Sequence, residues 1–160
     1  MPLSASILTR LHHQHETLFE LIEGFTEEQL KQRIIAGKWS AFEQLVHLVT
    51  YQPVLIQRVK KIQQQESPEF GRYVADTDPA FLEGCKKSLK ELLNQLREQR
   101  NEITVHLTTL SDDILGRSAR HPKFGILTIA GWAEFFLLHE AHHLFSIFKL
   151  VRESKAMAQQ

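Results

Sequence analysis

The fold is decided by residues 129–150, which read IAGWAEFFLLHEAHHLFSIFKL. In this stretch apolar residues return every three or four positions, and two histidines fall on the same stripe. The stripe consists of Ile129, Trp132, Phe136, His139, His143, Ile147 and Leu150. Because about 3.6 residues make one helical turn, this spacing predicts an amphipathic helix whose stripe faces a core. Thr128 is placed to cap the helix, which we expect to run to about Glu153.

Three more long helices are predicted upstream. The apolar positions of residues 8–25 recur at helical spacing. Residues 40–65 begin with a Ser-x-x-Glu capping box, and Pro53 predicts a kink within this helix. Residues 78–110 begin with Asp-Pro, an N-cap followed by proline at the first helical position. Residues 67–79 hold prolines, a glycine and acidic residues, which predict a long crossover connection.

No segment predicts a convincing strand. Residues 120–125 are interpreted as a loop, and residues 34–35 and 125–127 are too short to found a sheet. The expected fold class is therefore all-α, a four-helix bundle with a long crossover, and we expect residues 1–160 to form one domain. Bundles of this kind build metal sites from side chains that point inward from facing helices.

Charge and cysteine content exclude several function classes. The chain has 19 basic and 19 acidic residues, so no global field favours nucleic acid or an anionic membrane. The densest basic run, residues 58–61, is interpreted as a solvated turn at a helix end. The single Cys85 excludes an internal disulfide and fits a reducing compartment. With no secretory signal and no apolar run long enough to span a bilayer, we expect a cytoplasmic protein.

Three histidines are the main candidates for chemistry. His139 and His143 lie four residues apart on one helix face, where they can present two imidazoles to one metal ion. His47 lies on the apolar face of another predicted helix and could supply a third. An unpaired buried polar group costs about 1–3 kcal/mol, and a shared divalent cation would satisfy all three imidazoles. The alternative is packing, in which each histidine bonds a backbone carbonyl or a neighbouring side chain of a helical interaction domain.

Several neighbours are secondary candidates. A fourth ligand that closes the site could come from His12, His15 or Glu16 on the first helix. Glu43, one turn before His47, could orient that imidazole or approach the metal, although it already serves a capping box.

Other residues are interpreted structurally. His142 is expected to point away from the pair, at the rim of the site. Cys85 is interpreted as a small half-buried helix residue. Trp39, Trp132 and Tyr51 are expected to be core anchors, any of which could also line a pocket.

The string His139-Glu140-x-x-His143 also matches the zincin protease pattern, in which the glutamate is the general base. The extended form of that pattern requires glycine at 146 and histidine at 149, where this chain has Ser146 and Lys149. No predicted strand is available to align a peptide. We interpret the match as coincidental.

A wider set of residues carries a family resemblance. The set consists of Gly37, Lys38, Trp39, Ser40, Glu43, His47, His121, Pro122, Gly125, Thr128, His139, His142, His143 and Ile147. In their order and spacing they resemble the DinB-like (DinB/YfiT-like) family of metal-binding four-helix bundles. The resemblance implies that His47, His139 and His143 are the metal ligands. It also implies that the protein forms a homodimer. Characterised members of the family it resembles include transferases and isomerases that depend on low-molecular-weight thiols.

Three neutral imidazoles leave open positions on a metal ion, as catalytic sites do, and suit zinc or nickel. With the resemblance, this predicts a metal-dependent transferase in which a low-molecular-weight thiol attacks a small electrophile. A metal-dependent hydrolase of a small molecule, or a stress-related metal- or ligand-binding bundle without turnover, is the alternative. The partners expected are a small-molecule substrate and a second copy of the chain.

Overall fold

The computed structural model describes residues 2–157 and is built mainly from helices. The helices are α1 Ala5–His13, α2 Glu16–Ile22, α3 Glu27–Lys31, α4 Ala41–Gln64, α5 Pro79–Gly84, α6 Leu89–Thr108, α7 Asp112–Leu115 and α8 Ile129–Met157. Two strands, β1 Ser118–His121 and β2 Gly125–Thr128, form an antiparallel hairpin between α7 and α8. The α1–α2 arm, α4, α6 and α8 are the four members of a helix bundle. The predicted all-α four-helix bundle is confirmed.

The central helix of the bundle is α4, which packs against both α6 and α8. The α1–α2 arm closes the other side, with α1 against α6 and α8 and α2 against α8. The predicted crossover joins α4 to α5 and contains a 3₁₀ turn, Ala75–Thr77. Among residues 2–157, no helix combines the length and apolarity that a bilayer crossing requires.

The starts of α4 and α8 are fixed by side-chain caps. Ser40 Oγ accepts the backbone N–H of Glu43 at 3.1 Å, and Glu43 Oε2 accepts that of Ser40 at 2.8 Å. Thr128 Oγ1 accepts the backbone N–H of Gly131 at 3.1 Å. Both caps were predicted from the sequence. They set the positions from which His47 and His139 enter the bundle, about two and three turns further along their helices.

Two predicted helices are interrupted. The first ends at His13 and restarts at Glu16, although Leu11 and Leu18 are both fully buried. Because both halves keep the same apolar spacing, periodicity does not reveal the break. The third splits into α5 and α6, and a capping box at Ser88 begins α6. Ser88 is surrounded by lysine and glutamate residues, which are good helix formers, so the sequence predicts an unbroken helix there.

The expectation of no strand was wrong for the β1–β2 hairpin. Its backbone also pairs with the crossover, since Phe70 N–H donates to Arg120 O at 3.2 Å and Arg120 N–H donates to Pro68 O at 3.0 Å. Each strand has four residues, too few for an alternating pattern to distinguish it from a loop. The hairpin therefore fastens the crossover to the start of α8.

The apolar core is divided into two clusters. One includes Leu55 and Trp132, and the other includes Leu45 and Ile147. Buried polar side chains lie where one cluster gives way to the other along α4, α6 and α8. These side chains are His47, Gln52, Arg100, Glu140 and His143. A polar layer thus crosses the middle of the bundle.

Candidate metal centre

The three predicted ligands converge in this polar layer. His139 Nε2 lies 3.1 Å from His47 Nε2 and 3.1 Å from His143 Nε2. The candidate ligand atoms of the three residues all lie within 4.8 Å of one another. Within residues 2–157, this is the one group of three or more His, Cys, Asp or Glu side chains arranged to hold a metal ion. We call it the histidine triad.

Burial keeps the triad neutral. His47 is 4% exposed and His143 is 9% exposed. Burial lowers the pKa of His47, His139 and His143 to about 3, and in each case a neighbouring triad imidazole lowers the pKa further. At physiological pH each ring therefore keeps a nitrogen lone pair, which metal binding requires.

A side-chain contact fixes the tautomer of His143. Its Nδ1 lies 2.5 Å from Gln44 Oε1, which can only accept, so the proton is on Nδ1 and Nε2 carries a lone pair. That lone pair faces His139 Nε2. A single N–H on His139 can point at only one of its two imidazole neighbours. At least one of the two short nitrogen contacts is therefore left without a hydrogen bond.

The packing alternative predicted that each histidine would find a conventional partner. Within the described chain, however, Nδ1 of His47 and Nδ1 of His139 are buried and have no hydrogen-bond partner. Tetrahedral zinc sites with metal–nitrogen distances of about 2.0–2.1 Å hold their nitrogens roughly 3.3 Å apart. The two Nε2 spacings that involve His139, both 3.1 Å, are close to this value. The three residues fit a metal ion better than they fit one another.

The candidates for a fourth ligand lie elsewhere. His12 and Glu16 are exposed, and the pKa of His15 is lowered by burial and then by Arg100, which places His15 on the α6 side of the bundle. The neighbouring Gln14 donates to Leu137 O at 2.8 Å, on the face of α8 that turns away from the triad. Among the residues described, none of these three candidates belongs to the histidine triad.

Glu43 does not orient the triad. Its carboxylate pairs with Arg33 and accepts the Ser40 N–H, and these bonds lower its pKa against the opposing effect of burial. The residue outside the triad that hydrogen-bonds a triad imidazole, among those described, is Gln44, which was not predicted from the sequence. Gln44 precedes His47 by three residues, so the two side chains share one helix face. That spacing was the available signal.

Glu140 is turned away from the triad, which agrees with the interpretation of the protease motif as coincidental. It is 1% exposed, and Arg100 Nη2 donates to its Oε2. Gln14 Nε2 donates to its Oε1 at 2.9 Å. Arg100 is itself 1% exposed and also donates to Gln52 Oε1 at 3.3 Å. Glu140 is therefore engaged by a buried cation and is not available as a general base.

A cavity of about 620 Å³ opens beside the triad. Its walls include His47 and His139 together with four aromatic side chains. The aromatic residues are Trp39, Tyr51, Tyr73 and Phe135. Trp39 also packs its ring on His143 with centroids 6.3 Å apart. The predicted pocket role holds for Trp39 and Tyr51, whereas Trp132 is fully buried in the core.

The similarity to a known protein family extends over most of the chain. The sequence profile of the DinB superfamily matches residues 10–147, which include every triad residue. The chain belongs to the DinB superfamily.

Relatives of this DinB-superfamily chain include YuaE of Bacillus subtilis (strain 168), a protein named as uncharacterized. YuaE is 31% identical over 141 residues, covering 81% of this chain and 86% of YuaE. The solved structure of Bacillus subtilis YfiT matches with a TM-score of 0.79 and 22% identity, over 92% of this chain and 85% of YfiT. YfiT is described as "a probable metal-dependent hydrolase with an unusual four-helix bundle topology". TT2238, a four-helix bundle protein, matches with a TM-score of 0.64 and 20% identity, over 89% and 95% of the two chains.

One basic residue of this DinB-superfamily chain was misjudged. Arg58 was predicted to be solvated, but it is half-buried and lines the cavity. Its Nη1 donates to Tyr51 Oη at 3.3 Å and its Nη2 donates to Gly71 O at 3.2 Å. The signal was helical spacing, because Tyr51 and Arg58 lie seven residues apart, two turns along one face.

Cys85 and His142 behave as predicted. Cys85 is half-buried outside the cavity, and burial raises the pKa of its thiol. His142 is exposed and meets the edge of the His143 ring from outside. Neither residue joins the triad.

Proposed function

We propose that this protein binds a divalent metal ion through His47, His139 and His143 and uses it in an enzymatic reaction on a small molecule. The observation that carries the proposal is the convergence of three neutral imidazoles, two of which, His47 and His139, line a cavity. Three histidines leave at least one coordination position open, which is typical of catalytic zinc sites and not of structural ones. The imidazole donor set suits zinc or nickel.

A divalent ion held there supplies Lewis acidity, which eases the loss of a proton from a thiol or water nucleophile. The chain's own residues orient the ligands and the substrate. Gln44 holds the His143 ring in one tautomer, and Trp39 packs against both His47 and His143. The aromatic walls exclude water from one side of a bound substrate, which strengthens electrostatic interactions there.

Tyr51 is positioned to hydrogen-bond a substrate. Its oxygen accepts a hydrogen bond from Arg58, and its ring lies 4.5 Å from that of His139. Burial raises the pKa of Tyr51, so the hydroxyl stays protonated at neutral pH. Its hydrogen is then free to be donated to an oxygen of the substrate.

We infer that the nucleophile comes from outside the chain. Among the described residues that line the cavity there is no cysteine or serine. We propose a low-molecular-weight thiol as the nucleophile and a small electrophile as its target. The thiol sulfur forms a bond to the electrophilic carbon, the thiol proton passes to solvent, and the leaving group departs with the bonding electrons. Hydrolysis, with water in place of the thiol, is the second candidate, and the description of YfiT favours it.

Elemental analysis of protein purified without a histidine tag tests the metal site. We expect about one zinc or nickel ion per chain, no metal in His143→Ala, and an unchanged content in His142→Ala, the matched control on the exposed side of α8. A wild-type protein that binds no metal even after reconstitution would overturn the proposal. With metal bound, product analysis with and without added thiol separates transfer from hydrolysis.

A further inference from the structure

The cavity beside the triad has an uneven charge distribution. Three cationic side chains line it, Arg58, Arg72 and Lys123, against the single carboxylate of Asp76. Asp76 lies at the end of the cavity beside the triad, because its Oδ1 accepts the indole N–H of Trp39 at 3.0 Å and Trp39 packs against His47. The other end of the cavity is therefore positively charged.

These cations are not neutralised by the protein. In the part of the chain that the structure describes, none of the three forms an ion pair with a carboxylate. Arg58 is also held in place, with its guanidinium 5.3 Å from the Phe70 ring and 5.2 Å from that of Trp132. A guanidinium has five N–H donors, and Arg58 uses two of them on Tyr51 and Gly71. The remaining donors are available to a ligand.

His121 adds a neutral donor at the same end. Its Nδ1 accepts the backbone N–H groups of Lys123 and Phe124, both at 3.1 Å, so its proton is on Nε2. Burial lowers the pKa of His121, and Arg58 and Lys123 lower it further. The positive charges of Arg58 and Lys123 therefore both lie near His121, at the same end of the cavity.

We propose that the cavity selects a small molecule carrying a carboxylate or phosphate group, which binds at Arg58, Arg72 and Lys123. The rest of the molecule would lie on the aromatic wall and extend toward the triad. A charge-assisted bond from a guanidinium to an oxyanion is about twice as strong as a neutral one, and it can be bidentate. The inference depends on the proposed function only for the reaction that follows binding.

Matched probes test the anion preference directly. Phenylacetate, phenyl phosphate and the neutral phenylacetamide are titrated by NMR into wild-type protein, both chelator-treated and zinc-loaded. We expect at least one of the two anions to bind roughly tenfold or more tighter than the amide, whether or not zinc is present. Whichever anion binds tighter identifies the group the site is built for.

Variants locate the preference. Lys123→Gln and Arg58→Gln should each reduce it several-fold, Arg58→Lys should keep part of it, and Lys90→Gln, an exposed lysine on α6, should leave it unchanged. Lys123 is exposed, so its variant remains informative if the Arg58 variants fold poorly. Equal binding of anions and amide by wild-type protein, or a preference seen only with zinc, would overturn the inference. Metal content of the same samples reports separately on the proposed function.

Discussion

His139 and Glu140 are neighbours on α8, yet their surroundings differ in kind. Glu140 belongs to a buried cluster in which Arg100 and Gln14 supply its counter-charge and hydrogen bonds. His139 faces two other imidazoles, and its Nδ1 has no partner within the described chain. The protein satisfies the carboxylate of Glu140, whereas it leaves one nitrogen of His139 without a partner. The two neighbours therefore differ in how far the protein itself satisfies their polar atoms.

The largest effect should come from replacing these two neighbours in turn. Glu140→Leu leaves the Arg100 guanidinium buried without its counter-charge, which should lower the free energy of unfolding by about 3–5 kcal/mol. His139→Leu removes an imidazole with an unsatisfied nitrogen and should change the stability of metal-free protein by less than about 1.5 kcal/mol. Urea unfolding followed by circular dichroism, with chelator present, measures both.

The double variant Arg100→Met/Glu140→Leu provides the control for the buried pair. With both charges removed, most of the lost stability should return, because apolar side chains can replace a buried ion pair at little cost. Similar losses in His139→Leu and Glu140→Leu would show that the two neighbours do not differ in the way described.

An intermediate effect is expected at Gln44. Gln44→Leu removes the acceptor that orients His143 and should weaken metal affinity about 10–100-fold, with little change in the stability of the metal-free protein. Gln57→Leu, an exposed glutamine on the same helix, is the matched control. Competition with a chromophoric chelator gives the affinities. Unchanged affinity in Gln44→Leu would mean that the His143 ring is oriented by packing alone.

The smallest effect concerns His15, a histidine on the Arg100 side. Burial, and then the charge of Arg100, lowers the pKa of His15 to about 4 from its ordinary 6.5. The folded state therefore binds fewer protons than the unfolded state between these values, and stability should fall as the pH is lowered through this window. His15→Gln should make that fall shallower by up to about one proton.

The measurement is urea unfolding at a series of pH values between 7 and 4. Chelator is present throughout, so that protonation of the metal-free triad contributes equally to every sample. His12→Gln, an exposed neighbour, should reproduce the wild-type slope. If His15→Gln also reproduced it, His15 would not be the group that takes up the proton.

The helices and the triad were predictable because they depend on local rules. Capping residues fixed where α4 and α8 begin, and the four-residue spacing of His139 and His143 fixed their common face. His47 required the further step of assuming that α4 and α8 face each other, which bundle architecture supplied.

The rest of the site depends on contacts between distant segments. The cluster of Arg100 and Glu140 joins α6 to α8, and nothing in either helix alone distinguishes a buried arginine from a solvated one. The cavity wall likewise depends on pairing between the crossover and the β1–β2 hairpin. The segments that pair are too short to be recognised as strands from the sequence. A charged residue with a partner far along the chain has no local sequence pattern.

That pairing of crossover and hairpin holds part of the cavity wall on segments that carry no triad residue. The triad lies on α4 and α8 within the core, whereas two of the three cations that line the cavity, Arg72 and Lys123, lie in the crossover and at the tip of the hairpin. We expect insertions or substitutions in those two segments to alter what the cavity admits without moving a triad histidine. Under the proposed function, loop grafting there should therefore change the substrate preference while the triad stays unchanged.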